Sequence, residues 1–282
     1  MILDFQLLCQ SIKTVDNSIT EKQNSLFFRT LLKISTMALQ PWRKGIVTKI
    51  QDETYNTRRF WIQVPELESF DFTPGQFVTL DLPIDEKPNK RWRSYSIASW
   101  PDGTNVFELL IVLLEGGLGT TYIFNEIKIG SELSFRGPQG VFTLPAELDK
   151  DIYLICTGTG IAPFRSMIHT IKDNKQTHQD IHLIFGTRSQ NDLLYKEEMQ
   201  NLEREMEGFH FIPTLSREKW GGCCGYVHEV YERLVKEKMN GHAEPPPAQF
   251  YLCGWKNMVD EAKQRILQLG YDKKAIHLEL YG

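Results

Sequence analysis

The chain has 282 residues, 41% hydrophobic and 24% charged, with a formal net charge of −4. That length exceeds the usual single domain, so two domains are expected, and the near-average composition excludes wholesale disorder. The negative balance excludes a protein whose main task is to neutralise nucleic-acid phosphates or to coat an anionic membrane.

The first 41 residues resist assignment. The start MILDFQLLCQ is too short and lacks the basic flank of a secretory signal, and Asp4, Asp16 and Glu21 argue against a mitochondrial presequence. SLFFRTLLKI reads as a short amphipathic helix, a loose tail is the alternative, and Met37 stands as a possible true start. No apolar run approaches the roughly 18 residues needed to span a bilayer. A cytoplasmic protein without membrane insertion is expected.

Residues 42–148 alternate short β-type runs with turn signals. RKGIVTKI, RRFWIQV, GQFVTLDL, RSYSIAS, FELLIVLL and SELSFRG predict a small antiparallel barrel. LPIDEKPNK, with two prolines, predicts a surface loop leading into RWRSYSIAS, where Arg93, Tyr95 and Ser96 are either a strand's polar face or the wall of a site. GGLGTTYI, residues 116–123, predicts a glycine turn opening a helix, whose free amides suit a pyrophosphate.

From residue 149 the rhythm changes to strand then helix. DIYLIC, IHLIFG, FHFIPTL, QFYLCG and IHLELYG predict buried strands of a doubly wound parallel sheet, whose ligands bind at the strands' carboxyl ends. TGTGIAPFRSM follows the first of these strands: Thr157, Gly158, Thr159 and Gly160 form a phosphate-type turn, and Pro163 suits a first helical turn. DLLYKEEM reads as a helix start with Asp192 as N-cap, and NGHAEPPPAQ as an exposed connector. Five cysteines, Cys9, Cys156, Cys223, Cys224 and Cys253, are odd in number and form no CxxC pair, which points to a reducing compartment without a zinc or iron–sulfur ligand set. No metal site is expected. Two phosphate cradles imply two nucleotides facing each other.

With these segments assembled, residues 42–282 resemble the ferredoxin–NADP reductase family. Arg93, Tyr95 and Ser96 match its RxYS flavin motif, and Gly117, Leu118, Gly119 and Thr120 resemble its GxxS element with Thr for Ser. RGPQGVF resembles its inter-domain turn, and TGTGIAP its pyridine-nucleotide loop. YLCGWKNM resembles its CGxxxM segment, bringing Cys253, Gly254 and Met258 towards nicotinamide, and HLELYG resembles the terminal segment of plant-type members, with Glu279 and Tyr281 near the flavin and Gly282 added after the tyrosine.

The resemblance implies a β-barrel FAD-binding domain over 42–148 and a Rossmann-like NAD(P)-binding α/β domain over 149–282. It also implies an oxidoreductase passing hydride between NADP(H) and FAD and single electrons to or from a separate ferredoxin, flavodoxin or oxygenase component. Ser96, Cys253, Glu279 and Tyr281 would serve the chemistry, with Tyr95 on the other flavin face, while Arg188, Ser216 and Arg217 would select the 2′-phosphate of NADPH. Two alternatives stay open, an NADH-dependent reductase component of an oxygenase or cytochrome system and a noncatalytic flavin-binding redox sensor. Lys87, Lys90 and Arg91 would form a basic strip for an acidic carrier, or simply a solvated loop. Cys223 and Cys224 receive no role.

Overall fold

The computed structural model describes residues 40–281. The readings made of SLFFRTLLKI, Met37 and Gly282 lie outside them.

Six antiparallel strands form the first sheet: β1 (Trp42–Thr54), β2 (Thr57–Gln63), β3 (Phe77–Asp81), β4 (Trp92–Ser96), β5 (Val106–Val112) and β6 (Glu132–Gln139), in the order β4-β3-β6-β1-β2-β5. The order closes on itself, because Ile97 bridges Leu109 and the Ala98 amide donates to the Glu108 carbonyl at 2.8 Å. Closure removes the sheet edges and gives a barrel. Alternation along the strands turns Phe60, Ile62, Val78, Leu80, Phe107, Leu109 and Phe135 inward, all at most 1% exposed. Phe107 is central, with ring centroids 4.8 Å from Phe70 and 5.2 Å from Phe135. Two helices interrupt the strands. The short α1 (Pro88–Arg91) occupies part of the segment expected to be loop, where Pro88 fits the first helical turn, and α2 (Leu118–Glu126) follows the glycine turn as expected.

The second sheet is wholly parallel: β7 (Asp151–Thr157), β8 (Ile181–Thr187), β9 (Phe209–Leu215), β10 (Cys223–Cys224), β11 (Ala248–Trp255) and β12 (Ile276–Tyr281), ordered β10-β9-β8-β7-β11-β12. Crossovers run through α3 (Ile161–Asp173), α4 (Lys196–Glu205), α5 (Val227–Met239) and α6 (Lys256–Gln268). The chain starts in the middle at β7 and winds outward both ways, so the switch point lies between β7 and its neighbours, where a ligand is received. Cys223 and Cys224 form the two-residue edge strand β10, paired to Thr214 and Leu215.

One local reading is corrected. Asp192 does not cap α4; its carboxylate accepts from the amide and hydroxyl of Ser189 and closes a single 3₁₀ turn over Gln190–Asp192. Leu193, Leu194 and Tyr195 are drawn into the core, and α4 begins only at Lys196, with Tyr195 in a left-handed conformation at φ 52°. Burial of three side chains prevails over the local capping signal.

Phe107→Ala removes the ring that Phe70 and Phe135 pack against. It is expected to destabilise the barrel by about 3–5 kcal/mol, read from denaturant unfolding followed by tryptophan emission.

Candidate active site between the two sheets

The carboxyl end of β4 and the last strand of the parallel sheet meet at one cluster. Ser96 Oγ donates to Glu279 Oε2 at 2.7 Å and accepts from the Tyr281 hydroxyl at 2.9 Å. Cys253 Sγ donates to the same carboxylate oxygen at 3.9 Å. Strand register makes this meeting possible: Cys253 of β11 lies opposite Glu279 of β12, two residues before the Trp255–Tyr281 pair. A period of two then places Cys253 and Glu279 on the same side as Tyr281.

The electrostatics follow from burial. Loss of water raises the Glu279 carboxyl above its ordinary value, against the hydrogen bonds from Ser96 and Cys253 that pull it down. Desolvation, reinforced by the neighbouring Glu279 charge, lifts the Cys253 thiol well above the usual range. Cys253 is therefore a neutral thiol, not a nucleophile. The Tyr281 phenol is raised for the same two reasons. One half-buried carboxyl thus faces three neutral O–H and S–H groups, an arrangement that can hold or pass a proton.

Two cradles flank the cluster. In the barrel, Arg93 lies against Gly119, where a Cβ would stand 3.0 Å from the Arg93 side chain. The α2 N-terminus has no side-chain cap, so the leading amides of Leu118, Gly119 and Thr120 point out beside the Arg93 charge. The Thr120 hydroxyl is engaged in the turn itself, accepting from the Leu114 amide at 3.1 Å and lying 3.3 Å from the Gly117 carbonyl. Tyr95 packs against the barrel core, and Leu118 is 65% exposed. A dinucleotide pyrophosphate fits this cradle of bare amides, glycine and guanidinium.

In the parallel sheet, the turn from Thr157 to Gly160 closes on β11 so tightly that a Cβ at Gly160 would collide with the Cys253 carbonyl. Gly254, at φ 151°, has Thr157 Oγ1 and the Met258 methyl at the place of its missing Cβ, 2.5 and 2.9 Å away. Thr157 Oγ1 is buried without a hydrogen-bond partner. An orphan hydroxyl at the switch point of a parallel sheet is what a nucleotide-binding turn presents before its ligand satisfies it. Thr159 lies in this turn, and Pro163 is buried in the first turn of α3.

Further out, the carboxyl ends of β8 and β9 bring Arg188, Ser216 and Arg217 together. The Arg217 amide donates to the Arg188 carbonyl at 3.0 Å, and the Ser216 amide and hydroxyl donate to the Thr187 carbonyl at 3.0 and 3.2 Å. Glu218 anchors the neighbouring turn by accepting from the Gln190 amide and side chain at 2.8 and 2.6 Å. The basic strip is weaker than its sequence implies. Arg91 is held by both oxygens of Asp81 at 2.8 and 2.6 Å, and Lys90 lies 3.8 Å from Asp85, so two of its three charges are matched on the spot.

A set of buried ionic residues went unassigned in the sequence reading: Glu108 of β5, Arg59 of β2, Arg165 of α3 and Glu198 of α4. The signal was available, since FELLIV and APFRSMI each carry one charge inside an apolar run, which only a buried partner makes tolerable.

The comparisons agree with this geometry. The oxidoreductase FAD-binding domain family matches residues 44–144, and the oxidoreductase NAD-binding domain family matches residues 154–264. Ferredoxin–NADP reductase B of Sorangium cellulosum is 34% identical over 218 residues, which cover 76% of this chain and 87% of that protein. The phenol hydroxylase P5 protein of Acinetobacter pittii is 29% identical over 75% of this chain, which spans 58% of that relative's length. Among solved structures, a ferredoxin NADP+ reductase from Neisseria gonorrhoeae with bound FAD and NADP superposes with a TM-score of 0.71 at 24% identity, covering 85% of this chain and 98% of that one.

Two predictions test the cluster. Because burial raises Glu279, the folded protein keeps a proton that the unfolded chain has already released. Stability is therefore lost as pH rises from the ordinary carboxyl range, about 4, through the raised value. In thermal melts across that range Glu279→Gln is expected to gain on the parent as pH increases; a difference that does not vary with pH would show that Glu279 titrates normally. Gly160→Ala forces β7's turn away from β11, and isothermal titration should show nucleotide binding weakened by at least about 10-fold, since backbone rather than a movable side chain blocks the Cβ.

Proposed function

Because this chain belongs to the ferredoxin–NADP reductase family of FAD- and NAD(P)-binding oxidoreductases, we propose that it moves hydride between NADPH and FAD and single electrons to or from a separate ferredoxin or flavodoxin. The observation that carries the reading is the contact of Ser96, from the barrel, with Glu279, from the parallel sheet, beside Cys253. On this reading a proton-holding group would lie where ligands of the two cradles meet.

FAD, when bound, supplies the redox chemistry, accepting a hydride's two electrons and releasing them singly. The chain's part is to bind, orient and manage protons. Arg93 and the amides of Leu118–Thr120 would hold its pyrophosphate, and Tyr95 would line one ring face. Thr157–Gly160, Cys253, Gly254 and Met258 would receive the nicotinamide half of the second nucleotide. The neutral Cys253 thiol would offer a soft, uncharged wall, and Ser96 would exchange a proton with Glu279 as the electron count changes. Tyr281 would occupy the approach to the ring and move aside for nicotinamide, a gating step. Arg188, Ser216 and Arg217 would bind the 2′-phosphate that distinguishes NADPH. The division of labour then falls near residues 148 and 149.

A second reading is favoured by the likeness to the phenol hydroxylase P5 protein. On that reading the nucleotide is NADH and the carrier is an oxygenase component. Either way the electron carrier would be a different protein, as the name of the Sorangium ferredoxin–NADP reductase sets its ferredoxin apart from the reductase.

Anaerobic addition of each reduced nucleotide, followed at the flavin absorption band, is expected to bleach the flavin fastest with NADPH. A clear preference for NADH in kcat/KM would establish the second reading, and no bleaching with either would leave a flavin-binding sensor. Arg217→Ala is expected to raise the KM for NADPH about 10- to 100-fold, the loss of one charge-assisted contact, while leaving that for NADH nearly unchanged.

A further inference from the structure

The cluster of buried charges beneath the site has no part in the chemistry described above. Glu108 is 2% exposed and its carboxylate accepts four hydrogen bonds. Arg59 supplies two from within the barrel, at 2.7 and 3.0 Å. The other two come from the α/β side, from Arg165 Nη1 at 3.2 Å and the Tyr195 hydroxyl at 2.7 Å. Four donors saturate a carboxylate, which removes the usual objection to burying one.

Four of the five N–H donors of Arg165 are engaged. Its Nη1 also donates to the Ala98 carbonyl at 2.8 Å, and its Nε and Nη2 donate to Glu198 at 2.6 and 3.2 Å. Trp100 and Tyr195 cover its guanidinium at 5.1 and 4.5 Å. Two further contacts cross the same seam. The Tyr195 amide donates to Glu53 at 2.7 Å, and Trp100 stacks on His169 with ring centroids 3.7 Å apart. The left-handed backbone of Tyr195 is uncommon for an aromatic residue, and both its polar groups are held by barrel carboxylates.

The placement in sequence gives this clamp its meaning. Ala98 is two residues beyond Ser96, and Arg165 lies five residues beyond Gly160, in the helix that the nucleotide turn opens. We propose that Arg165, paired with Glu108 and braced by Tyr195, is a positioning residue that sets the distance between the flavin wall at Ser96 and the nicotinamide turn at Thr157–Gly160. The inference rests on the reading of the site as a hydride-transfer centre. A misplacement of about 1 Å in such a centre costs on the order of 100-fold in rate without loss of ligand contacts.

Arg165→Met keeps the stem and removes the guanidinium, whereas Tyr195→Phe removes one hydroxyl and leaves the ring packed. In the full-length FAD-loaded protein, single-turnover flavin reduction by NADPH is expected to slow about 100-fold in Arg165→Met, with NADP+ affinity changed by less than about 3-fold. Tyr195→Phe is expected to slow it about 10-fold, and Arg165→Lys to recover part of the loss, since Lys restores one charged donor. In the ligand-free protein, amide hydrogen exchange at Ala98 and Tyr195 should quicken in Arg165→Met. NADP+ affinity falling in step with the rate, or an unchanged rate in Tyr195→Phe, would overturn the proposal; the second variant decides alone if Arg165→Met does not fold. Should the parent protein itself show no flavin reduction by either nucleotide, the underlying reading fails instead, and the exchange measurement still decides whether Arg165 holds the seam.

Discussion

A single carboxylate shared by two domains is the constraint on which the site depends. The barrel and the parallel sheet are built on separate core clusters, and the apolar residues that join them, Ala98, Leu110 and Phe142, do not by directionless packing fix how one sits on the other. Glu108 does so by accepting donors from both sides, and Arg165 answers it from the helix behind the nucleotide turn. An isolated buried charge would be prohibitively costly, so each of these groups demands its partners and tolerates only the arrangement that supplies them. Apolar packing of Ala98, Leu110 and Phe142 into the α/β core adds area to the contact, but area is non-directional and a saturated charge pair is not.

The electrostatics of the clamp and of the site run in opposite directions, and both follow from what surrounds a carboxyl group. Burial alone would push the Glu198 carboxyl up, yet hydrogen bonds and charge from His169 and Arg165 hold it at about 2, so it is a permanent anion at neutral pH. Among the described residues Glu279 has no ion-pair partner, only hydroxyl and thiol donors, and burial prevails. The same residue type is thus a fixed structural charge in one place and a group with a readily moved proton in the other.

Close backbone approach does the remaining work. Gly160 and Gly254 let the first and fourth long strands of the parallel sheet bring their carboxyl ends together, leaving Thr157 Oγ1 buried without a hydrogen-bond partner among the described residues. Side chains at these positions would hold the strands apart, and the cradle would be lost however well the rest of the sheet formed. On the barrel side, the Thr120 hydroxyl stabilises the turn that presents the α2 amides.

All six barrel strands and the five long strands of the parallel sheet were legible as runs of alternating or continuous apolar residues, because burial on one or both faces imposes that periodicity on the chain itself. The glycine turns and the Ser96, Cys253, Glu279 and Tyr281 constellation were legible too, as segments resembling those of a known family. Three features were not. The start of α4 and the role of Asp192 were decided by where Tyr195 docks, some 140 residues from Glu53, which no local window contains. Two charges of the basic strip are paired, Arg91 with Asp81, which faces it once β3 and β4 pair, and Lys90 with Asp85 of the same loop. Glu108 and Arg165 stood in the sequence as two unexplained charges in apolar runs, and their identity as partners depends on the packing of two separately encoded cores. The sequence by itself determined the elements, the cradles and the family, since those rest on local pattern; the meeting of Ser96 with Glu279 belongs to the tertiary structure, since it joins two separately encoded sheets through residues far apart in the chain.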